Sequence, residues 1–259
     1  AAHALDVNGV INSDTRWTNA DSPINITGGV RVDANTVLRI DPGVEVIFQS
    51  SPDPGQGYSI RIDGTLVARG NQNQPITFTA EDPAIAWGAI IFSDNSEDWD
   101  QGTSEGSVME FCVIEYGGND PDGPGMISTF NAMPLIARNA IRFSDAAGIS
   151  ALVSEDPALI QSLSGQIRII SNRIYNNSTG ILFSAEGGII EDNYFLNNDQ
   201  ALDLEIRSND LEIANNTVIS TAPVLFGTGL QIVMDEAGSG IIAYQWRQID
   251  GPDVTLSNP

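Results

Sequence analysis

The chain of 259 residues carries 34 acidic and 11 basic side chains, a formal charge of −23 at pH 7, on a composition that is 41% hydrophobic. Apolar residues are too plentiful for an acidic disordered tail, no run approaches the roughly 18–20 apolar residues of a membrane span, and the carboxylate excess disfavours contact with nucleic acid or anionic lipid. Every basic residue is Arg and none is Lys, and a lone Cys and a lone His leave neither an intramolecular disulfide nor a histidine-based metal centre.

The chain opens on Ala1-Ala2-His3-Ala4, the small-residue spacing of a signal-peptide cleavage site, which is the expectation for a mature secreted chain. Short alternating runs follow: Val30-x-Val32, Leu38-x-Ile40, Val44-x-Val46-x-Phe48, Ile60-x-Ile62, Leu66-x-Ala68, Ile76-x-Phe78 and Ile90-x-Phe92. A period of two with one apolar face predicts strands, and helical periodicity is nearly missing. Asp41-Pro42-Gly43, Asp63-Gly64 and Gly70 punctuate the runs, because Pro presets φ and Gly supplies positive φ.

The second half repeats a unit, Ile-x-x-Asn-x-Ile, at Ile136-x-x-Asn139-x-Ile141, Ile169-x-x-Asn172-x-Ile174, Ile190-x-x-Asn193-x-Phe195 and Ile213-x-x-Asn216-x-Val218. Met109-x-x-Cys112-x-Ile114 is a degenerate earlier copy, and the central positions are 27, 33, 21 and 23 residues apart. Asn176-Asn177-x-x-Gly180-Ile181 and Asn197-Asn198-x-x-Ala201-Leu202 also run in parallel. Such a period predicts a solenoid whose coils bury their apolar faces only by stacking. Stacking would place Cys112, Asn139, Asn172, Asn193 and Asn216 in one column, where side-chain amides satisfy the buried backbone of the next coil.

The blocks Leu38-x-Ile40-Asp41-Pro42-Gly43-Val44-x-Val46-x-Phe48, Ile60-x-Ile62-Asp63-Gly64-Thr65-Leu66-x-Ala68-x-Gly70, Pro75-Ile76-Thr77-Phe78-Thr79 and Trp87-Gly88-x-Ile90-x-Phe92 resemble bacterial secreted right-handed parallel β-helix proteins. The resemblance implies an all-β solenoid over residues 5–226. The same scaffold carries lyases, hydrolases, adhesins and passive modules, so it leaves activity open. From Gly229 the repeat breaks. Ala243-Tyr244-Gln245-Trp246-Arg247-Gln248-Ile249-Asp250-Gly251-Pro252-x-Val254 resembles the opening of a polycystic-kidney-disease (PKD)-like β-sandwich, which implies an incomplete second domain over 229–259 and a larger extracellular parent.

Chemistry is sparse. If the chain is an enzyme, paired carboxylates for glycoside hydrolysis are best sought at Asp199, Asp203 and Glu205, with Glu191 and Asp192 a coil earlier. A polysaccharide lyase would need a base, and without Lys that role falls to an Arg of the repeat region, where Arg138, Arg142, Arg168, Arg173 and Arg207 could form a basic column, Arg207 being the one nearest the candidate carboxylates in sequence. Asp94-Asn95-Ser96-Glu97-Asp98-Trp99-Asp100 is the richest oxygen cluster, so Asp94, Asp98 and Asp100 are the candidate ligands for Ca²⁺. Asn119-Asp120-Pro121-Asp122-Gly123 is a smaller one, inside a long Gly- and Pro-rich insertion between Gly117 and Pro134. Trp99, read as exposed, is the candidate contact for a glycan or partner.

The sequence therefore favours a non-catalytic module of a secreted or cell-surface protein, contacting polysaccharide, a cell-surface glycan or a partner surface. The alternatives are a polysaccharide lyase or glycoside hydrolase, and a structural spacer whose exposed coil edges mediate self-assembly. An aromatic row on a flat face would favour binding, and a carboxylate pair at glycosidase distance would favour catalysis.

Overall fold

The structure is a computed structural model that describes residues 4–153, 166–219, 231–234 and 246–248. No helix occurs among them, and every ladder between successive coils is parallel. The chain winds through three faces in a fixed order. Face 1 contains Val37–Ile40, Thr65–Arg69, Val108–Glu110, Leu135–Ala137 and Ile167–Ile170. Face 2 contains Glu45–Phe48, Ile76–Ala80, Cys112–Glu115, Ala140–Arg142, Arg173–Tyr175, Tyr194–Leu196 and Asn216–Ile219. Face 3 contains Ile60–Ile62, Ile90–Phe92, Gly125–Phe130 and Ala147–Leu152. The long strands Thr179–Glu191 and Gln200–Ala214 each run from face 3 onto face 1 through an irregularity, after Ala185 in the first and after Ile206 in the second.

Alternation along each strand sends every second side chain inward, and in-register pairing stacks like on like. Leu38 lies over Leu66, Ile136 over Ile169, and Ile141 over Ile174 and then Phe195. All of these side chains are fully buried. One coil alone could not bury them, so the fold rests on neighbour contacts. Trp87 closes a wider section by stacking on Phe48, with ring centroids 4.0 Å apart, while its Nε1 donates to the Glu115 carbonyl at 2.8 Å.

In five successive coils the corner from face 1 to face 2 takes one left-handed non-glycine residue: Phe111, Arg138, Ser171, Asp192 and Asn215, with φ between 50 and 60°. Such residues carry a steric cost that the surroundings must over-determine. Here the next residue does so. Asn139, Asn172 and Asn193 each accept, at Oδ1, the backbone N–H of the column member one coil before, and each donates Nδ2 to a buried carbonyl of face 1. Asn216 ends the column in the same manner. At the other end, Cys112 has its N–H satisfied by Asn139 and its thiol directed at the Ala68 carbonyl.

The corner from face 2 to face 3 carries a second, shorter column. Asn177 accepts the Ser144 N–H at 3.1 Å, and Asn198 accepts the Asn177 N–H at 3.0 Å. Their preceding residues, Phe143, Asn176 and Asn197, are again left-handed. The parallel copies Asn176-Asn177 and Asn197-Asn198 are the trace of this column in the sequence.

The parallel ladder continues where a β-sandwich was expected to begin. Gln231–Met234 pairs with Asp203–Ile206, and Trp246–Gln248 pairs with Asn216–Val218. The rest of 229–259 lies outside the described residues, as do Ala1, Ala2 and His3.

A candidate binding face around Trp99

The loop that leaves face 3 after Phe92 does not turn directly onto face 1. It projects outward before entering Val108–Glu110, and backbone bonds tie it at both ends: Glu97 N to Gly64 O, Ser107 N to Glu97 O, and Asp100 N to Glu105 O. A ridge results across face 1. On one side lies a cleft of about 710 Å³ whose floor is formed by outward residues Val37, Arg39, Val67 and Arg69. On the other lies a cleft of about 840 Å³ bordered by Gln166 and Arg168.

Trp99 stands in the wall of both clefts. It is half-buried, because its N–H is tied to the Met133 carbonyl at 3.0 Å and the Arg69 guanidinium packs over its ring, 4.9 Å from the centroid. The sequence pattern, which lacks this tertiary partner, reads it as exposed. Arg69 is held loosely by Glu110 at 4.0 Å, and its Nε is buried without a hydrogen-bond partner. Arg39 and Arg168 make no ion pair among the described residues, although the chain has 34 carboxylates. The clefts therefore combine an aromatic wall, the Arg39 and Arg168 guanidinium groups, which make no ion pair among the described residues, and the carboxylates of Glu97, Asp98 and Asp100.

The three candidate calcium ligands of this loop are differently employed. Asp98 turns back to accept the Met133 N–H at 2.7 Å, Asp100 accepts Gly102 N–H at 2.7 Å in a local turn, and Asp94 is exposed. Among the described residues no three His, Cys, Asp or Glu side chains gather into a group able to hold a metal ion. Burial, reinforced by the charges of Glu97 and Asp94, raises the pKa of the Asp98 carboxyl above the ordinary aspartate value, against the lowering effect of the Met133 N–H. The second acidic loop is a clip. Asp120 accepts from the Ser59 hydroxyl and from the Asp122 N–H, and Gly57 N–H donates to the Asn119 carbonyl. Much of the expected insertion between Gly117 and Pro134 is the face 3 strand Gly125–Phe130.

The carboxylates proposed for glycoside hydrolysis lie away from these clefts. Asp199 is exposed at the corner from face 2 to face 3, and Asp203 is on face 3, paired in register with Leu182. Glu205 and Arg207 belong to the same long strand, Arg207 within its irregular stretch, and their side chains lie outside the described residues.

A row of aromatic and arginine side chains rises along face 2, containing Arg142 and Arg173 of the basic column considered from the sequence together with aromatic members the sequence pattern does not single out. Tyr116 stacks on Phe143 with centroids 5.1 Å apart, Phe143 meets Tyr175 edge-on at 6.1 Å, and Arg142 and Arg173 pack over Tyr175. Its members are spread over successive coils, Tyr116 in one, Arg142 and Phe143 in the next, Arg173 and Tyr175 in the one after, so no single local motif announces the row. Only the register of the repeat could have aligned them.

Comparison with known proteins bears on the scaffold. A family model described as "Right handed beta helix region" matches residues 85–249, and one described as "Pectate-lyase like beta helix domain" matches residues 9–130. No match to the chain is found among curated proteins or solved structures. With three parallel faces, stacked corners and a model covering more than half its length, the chain belongs to the right-handed parallel β-helix family.

Proposed function

We propose that this chain is a non-catalytic module of a larger secreted or cell-surface protein, and that it contacts polysaccharide through the paired clefts of face 1. The observation that carries the reading is the Arg69–Trp99 stack standing between two open clefts on a rigid scaffold. A ligand there meets an aromatic wall and, in Arg69, a guanidinium packed in place before binding, which lowers the ordering cost of association. The membership in a family whose fold is used by polysaccharide-active and polysaccharide-binding proteins supports the same ligand class.

Hydrolysis is the second reading, and Asp98 favours it: a carboxyl of raised pKa in the wall of both clefts suits a general acid. The two are separated by incubating the protein with neutral and acidic polysaccharides, with calcium and with chelator. Reducing ends and unsaturated-uronate absorbance are followed alongside pull-down. Binding without product, weakened about tenfold or more in Trp99→Ala, is expected for a buried aromatic contact. Product formation that disappears in Asp98→Asn would replace the binding reading with the hydrolytic one.

A further inference from the structure

Face 2 carries a strip unlike the rest of the molecule. Across the coils from Cys112–Glu115 to Tyr194–Leu196, the outward positions include one carboxylate, Glu115, on a chain whose net charge is −23. Glu115 is already engaged, accepting from Arg142 Nε at 2.6 Å and from the Thr79 hydroxyl at 3.1 Å. Arg173, one coil further on, is exposed and makes no ion pair among the described residues. Its neighbours in register are Ala140 and Tyr194, neither of which offers a carboxylate.

The guanidinium is nonetheless held. Its carbon lies 5.2 Å from the Tyr175 ring centroid and 5.8 Å from that of Tyr194, so two aromatic contacts restrain the group that an ion pair restrains in Arg138 and Arg142. A guanidinium restrained by ring contacts keeps its N–H groups available for a planar or tetrahedral oxyanion. Tyr175 already accepts from Arg142 Nη1 at 2.6 Å, which orients its hydroxyl hydrogen away from that arginine.

We propose that Arg173, fixed by Tyr175 and Tyr194, is a second binding site, taking the carboxylate or sulfate ester of an extended anionic glycan laid along face 2. The proposal rests on the polysaccharide reading for the chain that carries the anion, while the anion itself is selected by Arg173. The size of the strip favours a linear ligand. Coils about 4.8 Å apart make it roughly 15 Å long and one face wide, far below the ~800 Å² per partner of a stable protein interface. Contact is through guanidinium and ring edges, because Tyr116 and Phe143 cover each other's faces. The surrounding negative field repels a polyanion within a Debye length and is screened beyond it, so a short-range, pre-oriented donor is needed to hold one.

The test uses the whole chain and oligosaccharides of equal length that are uronate-bearing, sulfated or neutral, with an oligoglutamate peptide as a further arm. Calorimetry is run on the natural protein, Arg173→Gln, Arg173→Lys and Trp99→Ala. Expected is binding of at least one anionic glycan over the neutral one, reduced roughly tenfold in Arg173→Gln and partly restored in Arg173→Lys, as befits a charge without the bidentate fork. The arm that binds identifies carboxylate or sulfate. Thermal midpoints check that each variant is folded. Unchanged binding in Arg173→Gln with loss in Trp99→Ala would overturn this site and leave the face 1 reading standing. Tighter binding of the peptide than of every glycan would overturn the ligand class, and binding to none of the probes would overturn both proposals.

Discussion

Asn172 donates its side-chain amide to Asn193 Oδ1 at 3.0 Å while its own Oδ1 accepts both the backbone N–H and the side-chain amide of Asn139. Each amide thus serves two coils, and its Nδ2 also reaches the Ile136 carbonyl at 2.9 Å. Removing the side chain in Asn172→Ala would strand the Asn139 N–H and the Ile136 carbonyl in a fully buried corner. At about 1–3 kcal/mol for each orphaned group, a loss of about 3–5 kcal/mol is expected. Asn216→Ala, at the end of the column, strands the equivalent pair, the Asn193 N–H and the Ile190 carbonyl, but breaks no described link to a following amide and should cost less by that contribution. Urea unfolding of both variants measures the difference, and equal losses would count against a cooperative column.

Cys112 stands at the head of that column as a small buried group. Its thiol is directed at the Ala68 and Glu110 carbonyls, and burial pushes its pKa far above the ordinary thiol value. Thiolate, the reactive form, is therefore suppressed in the native state. Labelling with a thiol reagent at neutral pH should proceed only as fast as the coil opens, and should become rapid in denaturant. Fast native labelling would show that the corner opens locally.

The parts of this structure legible in the sequence are those written within one coil. Period-two alternation marked the strands, and Ile-x-x-Asn-x-Ile marked both the inward aliphatic positions and the column of Asn139, Asn172, Asn193 and Asn216. What was hidden depends on contacts between coils. Trp99 read as exposed because Arg69 precedes it by a coil, and the row along face 2 formed no motif because only register sets Arg142 against Tyr175 and Tyr194 against Arg173. The second column was visible as a repeated Asn-Asn pair, but its corner role required knowing that Asn176 and Asn197 turn left-handed.

Gly117 is the residue that gives Trp87 its place. A Cβ at this position would fall 2.5 Å from Trp87 Cε2 and 2.8 Å from Cδ2, and the ring cannot retreat because Phe48 is stacked on its other side. Gly117→Ala should destabilise by about 1–3 kcal/mol, the usual cost of overpacking a filled core. Near-ultraviolet circular dichroism should change with it, since the stacked Phe48–Trp87 pair is displaced. A variant with natural stability and spectrum would mean that the corner shifts to admit the methyl group.

Asp98 links the ridge bearing Trp99 to the body of the solenoid, and its protonation should be felt in stability. Its native pKa is raised chiefly by burial, so between the ordinary value of 3.8 and the native one the folded chain binds more proton than the unfolded chain. The contribution is fully present below the unfolded pKa and is lost as pH rises through the native pKa. Asp98→Asn fixes the neutral form and keeps an oxygen that can accept the Met133 N–H. The variant is expected to be at least as stable as the natural protein at neutral pH and to lack this part of the pH slope, whereas Asp98→Ala strands the Met133 N–H and should lose about 1–2 kcal/mol. Thermal unfolding of the three proteins across the acidic range reads both effects. Identical slopes in the natural protein and Asp98→Asn would show that the carboxyl stays ionised, and would remove the main support for its role as a general acid.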